Sequence, residues 1–459
     1  MEAYIRLLNS YIDKNKSEYP RIYQNINFIN YKQAFKAEAK RRNLTDALDG
    51  KVIWSNKNTK PVLNSLSEGC KICSQGNWSC LFITGKCNAR CFYCPSQQES
   101  DHIPVTQLLN FENPEEYAEY LKIFNFKGMS ISGGEPLIVF ERAKSYIEAA
   151  RKKLGNEIYI WLYTNGILGT KKIFTELVGA GLNEIRFDLG ATGYSIEFLK
   201  NATGIVPIIA VEIPAIPEHK NKFLQLLPDL IKSGVKHINL HQLRLTEFNA
   251  QKLLKKNYTF LHGEKVTVLE SELAALEIMD YIHKNNMDIG VNYCAFQFKN
   301  RFQKSGYRKK LSGLTLNEPE ELTEKGYIRL IKAPKSTQLS NYILSHTELK
   351  GWKEYDDYFL LNFNILKQSR NYLNTVEISY FNSTLENKSE SCLPIDSAWP
   401  LPEKQIRKNK LSPSYFIKKD ELCEFIELIE NEPLSPPGDH KFFSIWEMEY
   451  IEWGWRDYF

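Results

Sequence analysis

No stretch of the sequence approaches the roughly 18 consecutive apolar residues that a membrane span requires. The opening MEAYIRLLNSYIDK is charged and amphipathic and has no apolar signal core. These absences argue against a membrane partner and for a cytoplasmic protein. Charge of one sign is also missing: 59 basic side chains stand against 55 acidic ones, a net +4 with no long single-sign block, so nothing marks a nucleic-acid partner. The eight histidines show no paired metal spacing, and no Ser, His and Asp arrangement announces nucleophilic hydrolysis. Internal repeats and low-complexity tracts are absent too. Cysteine is present but unevenly placed, with six of nine between positions 70 and 94. That would be an odd disulfide framework for so long a chain. It suits reduced thiols binding metal in a reducing, low-oxygen compartment.

Short apolar segments separated by helical stretches read as strands at 81–84, 128–132, 158–164, 184–188, 207–213 and 237–243, with an extra strand at 288–293. Helical patterns fill 114–124, 142–154, 171–181, 195–201, 220–233 and 271–284. This is the order of an α/β fold, and six strands fit a partial (β/α)6 TIM-type barrel. Residues 1–79 read as an N-terminal extension carrying auxiliary cysteines, 80–295 as the core barrel, and 296–459 as a C-terminal region that covers the active site or binds substrate. Loop-like composition at 334–337 and 382–391 marks that last region.

The densest chemistry is Cys87, Cys91 and Cys94, with three and then two residues between them and Tyr93 before the last. Three thiolates can hold three irons of a 4Fe–4S cluster and leave the fourth open. A structural zinc site also uses close cysteines, but it prefers C-x2-C knuckles and four ligands. Downstream, Gly133, Gly134, Glu135 and Pro136 follow an apolar strand. The glycines let backbone approach a ligand, and the carboxylate suits an ammonium group. Thr164 and Asn165, with Gly166, end the third strand, where a barrel carries its chemistry. His241, Gln242 and Arg244 end the sixth. A second cysteine group comprises Cys70 and Cys73 in a C-x2-C knuckle, Cys80 just before a strand, and Cys294. Four thiolates could close a tetrahedral iron or zinc site or ligate an auxiliary iron–sulfur cluster. Cys392 and Cys423 are isolated and read as core or surface thiols. The aromatic stretch with Trp446, Tyr450, Trp453 and Trp455 reads as packing, with walling off an active site as the alternative. The basic run from Lys299 to Lys310 reads as a solvated face.

The cysteine triplet with the GGEP element resembles the radical S-adenosylmethionine (radical SAM) superfamily. That resemblance implies an open iron chelated by the amino and carboxylate groups of S-adenosylmethionine, whose reduction yields a 5′-deoxyadenosyl radical. It implies that Gly133 to Pro136 and Glu135 hold the methionyl amino group, that Thr164 and Asn165 contact the cosubstrate, and that the Tyr93 backbone lies near the adenine. Asp188 and Glu212, at the fourth and fifth strand ends, could contact ribose, sulfonium or substrate; His241, Gln242 and Arg244 could line adenine or substrate. The stretches GCKICSQGNWSCLFITGKCNARCFYCPS and VNYCAFQFKNRFQ also resemble the branch containing the methanogenesis-marker protein-arginine C-methyltransferase. That branch can carry an extra cysteine-bound iron, which brings Cys294 into the second group, and cobalamin, with peptide carbon as methyl acceptor. No Asp-x-His-x-x-Gly cobalamin motif is present, though the branch need not use it, so cobalamin is allowed without being predicted. The C-terminal region lacks the multiple cysteines of SPASM extensions. The expected function is hydrogen abstraction from a peptide or protein C–H bond, with C-methylation as one outcome and flavodoxin or ferredoxin as electron donor. A radical enzyme acting on a small molecule and a zinc-stabilised binding protein are the alternatives.

Overall fold

The computed structural model describes residues 2–346, 348–388 and 399–458; Cys392 lies outside the described residues. They form two compact units: Leu7–Gln303 with Gly454–Phe459, and Lys304–Trp453 with Met1–Arg6. Among the described residues no helix is long and apolar enough to cross a membrane.

In the first unit a hairpin of β1 (Val52–Ser55) and β2 (Lys60–Leu63) precedes β3 (Trp78–Thr84), and a short ribbon of β4 (Val105–Thr106) and β5 (Leu109–Asn110) follows it. Strand and helix then alternate through β6 (Gly128–Gly133), β7 (Tyr159–Thr164), β8 (Glu184–Phe187), β9 (Ile208–Pro214) and β10 (Val235–His241). A small ribbon of β11 (Phe260–Leu261) and β12 (Thr267–Val268) and the helix Leu269–Lys284 lead into β13 (Gly290–Cys294). The spatial order is β1-β2-β13-β10-β9-β8-β7-β6-β3-β4-β5. Strands β3, β6 to β10 and β13 pair parallel in sequence order. Right-handed crossovers in an unbroken order put the connecting helices on one face, which makes this a partial barrel. The sheet has seven parallel strands: the extra strand is a full member, beside β10. Its two ends carry hairpins and do not pair with each other.

The two-residue period of the strands sorts their side chains. Leu81, Ile131, Leu162 and Ile185 stand in register across four strands, all fully buried. The alternating positions are strongly polar for a barrel: Glu184 and Arg186 in β8, Glu212 in β9, Asn239 and His241 in β10, Asn292 and Cys294 in β13. Cys80 belongs to this set, because β3 starts at Trp78; it lies inside the strand and not ahead of it.

The last residues of the chain return to this unit. Trp455 donates its indole N–H to the Thr59 carbonyl at 2.8 Å and stands edge-on to Trp54 and Tyr293. Arg41 donates to Glu38 at 2.6 Å and to the Arg456 carbonyl at 3.0 Å.

The second unit is an antiparallel sheet of β14 (Glu321–Leu322), β15 (Ile328–Pro334), β16 (Trp352–Glu354), β17 (Tyr358–Leu361), β18 (Thr375–Asn387), β19 (Lys404–Lys410) and β20 (Tyr415–Lys418). The loop expected at 382–391 is replaced, over its described part, by the end of β18. Its polar residues Asn382 to Asn387 pair with β19, so ladder hydrogen bonds override a composition that reads as turn. Trp446 is buried in the helix His440–Glu449, as packing required. Arg329 in β15, 7% exposed, donates to Glu449 at 2.9 Å and Glu321 at 3.0 Å, while the Tyr380 hydroxyl donates to Glu449 at 2.6 Å. Removing one partner strands the buried Glu449 charge. Arg329→Met is expected to destabilise this unit by about 3 to 5 kcal/mol in urea unfolding; a loss below about 1 kcal/mol would show that the pair does not hold the sheet.

Candidate active site

The cysteine loop leaves β3 at Thr84 and has no helix of its own. Its base is closed by backbone and charge. A Cβ on Gly85 would meet the Ser100 carbonyl at 2.4 Å, the Cys87 N–H donates to the Gln98 carbonyl at 3.1 Å, and Asp101 accepts from the Thr84 hydroxyl at 2.8 Å. Arg142 grips the same carboxylate with both terminal nitrogens at 2.8 and 3.1 Å, and its hydrogen bonds hold Asp101 far below the usual carboxylate range. Cys87, Cys91 and Cys94 are half-buried. Burial raises the Cys87 thiol and pushes Cys91 up to about 12.

The end of β6 docks on this loop. Gly134 donates its N–H to the Thr84 carbonyl and Glu135 donates to the Lys86 carbonyl, both at 2.7 Å. A Cβ on Gly134 would stand 2.0 Å from the Lys86 oxygen; one on Gly133, whose φ is +123°, would stand 2.3 Å from the Thr84 oxygen. The glycines therefore allow backbone to meet backbone one residue before Cys87.

Glu135 is 1% exposed and ties the next strand in. Its carboxylate accepts from the Thr164 hydroxyl and the Asn165 N–H, each at 2.7 Å, and from the Leu137 N–H at 3.0 Å. Burial raises its pKa, against the pull of those donors. Asn165 turns back to the cysteines: its amide donates to Asn88 at 2.7 Å and lies 4.0 Å from the Cys87 sulfur. Tyr93 does more than pack. Its hydroxyl donates to Asp188 at 2.8 and 3.0 Å, and only glycine fits at position 190 beneath it, because a Cβ there would lie 2.3 Å from the phenol oxygen. Burial pushes the Asp188 carboxyl up to about 6, against the Tyr93 and Gly190 hydrogen bonds.

Deeper in the barrel, Arg186 joins Glu184 at 2.6 Å and Glu212 at 2.7 Å, and Glu212 also pairs with His241. Burial opposes the Glu212 charge, yet His241 and Arg186 hold the carboxyl far below its ordinary range. Lys299 donates to the other ring nitrogen of His241 at 2.6 Å, so it is half-buried in this network and is not part of a solvated face. Cys70, Cys73 and Cys294 gather nearby around Lys60, which is 1% exposed. Lys60 donates to Asn292 at 2.7 Å and to the Cys294 sulfur at 2.9 Å; Gln303 donates to Cys73 at 2.9 Å; the Cys70 thiol donates to Asn239 at 3.2 Å. Cys80 lies apart, against Ser130 and Ser132, and burial pushes it up to about 11.

As the side chains stand, among the described residues no three of His, Cys, Asp and Glu surround a metal-sized centre. The donor chemistry of the loop still suits a cluster: three thiols on one clamped loop, with the Ala89 N–H aimed at the Cys87 sulfur at 3.4 Å. Lys60, Arg186 and Lys299 were not foreseen as parts of the site. The one signal was Arg186 inside the short strand EIRF, where a charge needs a buried partner.

Gly134→Ala is expected to force β6 and the loop apart. It should cost about 1 to 3 kcal/mol in anaerobic unfolding and lower the iron bound per chain after reconstitution; wild-type values on both measurements would show that this contact is dispensable.

Residues 81–205 match the family model of the radical SAM superfamily. Among similar proteins is one from Methanocaldococcus jannaschii, provisionally described as a glycyl-radical enzyme activating enzyme, 32% identical over 253 residues that cover 52% of this chain and 66% of that one. A GTP 3′,8-cyclase of Staphylococcus carnosus is 36% identical over 115 residues, 24% of this chain and 33% of its own. The chain thus spans just under two thirds of the first relative and a third of the second. Among solved structures, SuiB of Streptococcus suis bound to S-adenosylmethionine aligns over 60% of this chain and 65% of its own, at 14% identity and a TM-score of 0.37. Radical SAM enzymes use a 4Fe–4S cluster and S-adenosylmethionine. The matched stretch holds the whole cysteine loop, the double-glycine end of β6 and the Thr164–Asn165 turn, and over it this chain carries a radical SAM domain.

Proposed function

We propose that this protein holds a 4Fe–4S cluster on Cys87, Cys91 and Cys94, cleaves S-adenosylmethionine reductively, and abstracts hydrogen from a C–H bond of a peptide or protein. The observation that carries this reading is the docking of the GGEP backbone onto the residue before Cys87, which sets a buried carboxylate beside a three-thiol loop. When bound, cluster and cosubstrate supply a one-electron cleavage of the sulfonium to a 5′-deoxyadenosyl radical.

The chain's own residues bind and orient. Glu135 fixes the Thr164–Asn165 turn and keeps lone-pair capacity for an ammonium group. Asp188, held by Tyr93, and Glu212, held by Arg186 and His241, present carboxylates at successive strand ends. Gly133 and Pro136 shape the turn between them. Cys70, Cys73 and Cys294, with Cys80 as the more distant member, supply an auxiliary iron, zinc or iron–sulfur site. A buried ammonium on Lys60 supports anionic sulfur there, since an unpaired charge in that position would be costly. A flavodoxin or ferredoxin delivers the electron, and substrate choice falls to residues 296–459.

The archaeal relative's description as an activating enzyme for a glycyl-radical enzyme supports a protein substrate, and C-methylation is one outcome open to the substrate radical. A small-molecule substrate is the second reading, favoured by the cyclase similarity. Anaerobically reconstituted protein with dithionite should release 5′-deoxyadenosine from S-adenosylmethionine, measured by mass spectrometry. Cys91→Ala should reduce that product to background; undiminished release would remove the assignment. Deuterium in the 5′-deoxyadenosine, supplied from a deuterated peptide pool and not from the matching low-mass fraction, is expected on the first reading, and the reverse on the second.

A further inference from the structure

Two cations meet at the barrel rim, and among the described residues neither has a carboxylate within ion-pair distance. Arg244 follows β10 and Lys299 follows β13, the adjacent strand; the guanidinium lies 5.4 Å from the centre of the Phe296 ring and the ammonium 5.2 Å. Both are half-buried. Their supports are rigid. The Leu243 N–H donates to Ser271 at 2.8 Å, Arg244 bridges Thr267, the Arg244 carbonyl accepts from Asn249 at 3.0 Å, and the Phe296 N–H donates to Gln242 at 3.2 Å.

The nearest carboxylates are committed elsewhere: Glu212 to Arg186 and His241, Glu18 to Lys265. Among the described residues no carboxylate oxygen comes within 4.0 Å of either cation. Lys299 spends one of its three N–H groups on His241, and among the described residues none of the five on the Arg244 guanidinium meets an acceptor. Burial lowers the pKa of both groups, so the charges are held at a cost that an anion would relieve.

We propose that Arg244 and Lys299 form the receptor for an anionic group of the substrate, a carboxylate or a phosphate, which Arg244 grips by its planar fork while Lys299 neutralises it from across Phe296. The site adjoins the cysteine loop, because Cys91 and Phe92 pack on the apolar cluster that includes Leu243 and Leu245. An anchor here sets a substrate C–H bond near the reacting centre. The proposal rests on the function proposed above: Cys87, Cys91 and Cys94 would hold the cluster at which S-adenosylmethionine is taken up, which leaves this receptor to the substrate.

Calorimetric titration of the full-length, anaerobically reconstituted protein tests the receptor without turnover. The α-amide of N-acetylglutamine is the neutral control for the α-amide of N-acetylglutamate, which carries one carboxylate, and inorganic phosphate is the second probe. Saturable binding of the glutamate probe or of phosphate but not of the uncharged glutamine probe is expected, with S-adenosylmethionine already bound, and the tighter probe names the substrate's anion. Arg244→Gln and Lys299→Met should each weaken binding at least about tenfold. Arg244→Lys should retain more affinity than Arg244→Gln at equal thermal stability, which a mere folding defect would not produce. No anion binding, or binding unchanged in both variants, overturns the receptor. Displacement of the probe by S-adenosylmethionine overturns its assignment to the substrate. Absence of 5′-deoxyadenosine from the wild type would fell the proposed function, while the titration still reports on the receptor.

Discussion

The site depends on one close approach. Two glycines at the end of β6 bring backbone against the backbone that leads into Cys87, with the Gly134 and Glu135 N–H groups donating at 2.7 Å. No side chain fits at Gly134, where a Cβ would stand 2.0 Å from a carbonyl oxygen. This contact fixes where the cysteine loop begins relative to the sheet. It also carries Glu135 into a buried position, where the carboxylate must find donors, and the donors it finds are the Thr164 hydroxyl and the Asn165 N–H of the next strand. Three segments far apart in sequence are thus locked by sterics first and by electrostatics second.

A second constraint follows from filling a barrel with charge. Arg186 lies between Glu184 and Glu212, with Arg186 and Glu184 buried and Glu212 half-buried, an arrangement worth little net stability against a well-packed apolar core. What it provides is placement. Glu212 is held from one side by Arg186 and from the other by His241, and His241 by Lys299, so a chain of charge-assisted contacts runs from the middle of the sheet to its rim. The network ends in cations at the rim and in thiols around Lys60 below, which gives the barrel two kinds of anion-attracting surface, one open to substrate chemistry and one built for sulfur.

Much of this was legible in the chain because strands buried on both faces read as short apolar runs between turn residues. The six expected strands all formed, and the extra one at Gly290–Cys294 completed a seventh place. Cys80 was misplaced because the Trp78–Ser79–Cys80 start of β3 carries polar atoms that break the run, while β6 pairing still holds it in the sheet. The polar end of β18 was read as loop for the same reason, since what makes it a strand is its partner β19 and not its composition. The cysteine triplet and the GGEP element could be read because they are local. Lys60 could not: its partners Asn292 and Cys294 lie 232 and 234 residues away, and only the fold brings them together.

The thiols add a condition on how such a site assembles. Metal ligation needs thiolates, yet burial pushes Cys91 up to about 12 and Cys80 up to about 11, and raises Cys70, Cys73 and Cys87 as well. The metal-free fold therefore binds these protons more tightly than the unfolded chain does. By linkage, its stability falls as pH rises from the ordinary thiol value of 9.0 toward the raised values. Uptake of metal runs the other way. Each ligand must release a proton, so metal binding strengthens with pH over the range in which the fold alone weakens. A loop that is neutral when empty can be clamped in place by Arg142, Asp101 and the β6 glycines without repulsion among its sulfurs. It becomes a set of anions only when a cationic centre arrives to compensate them.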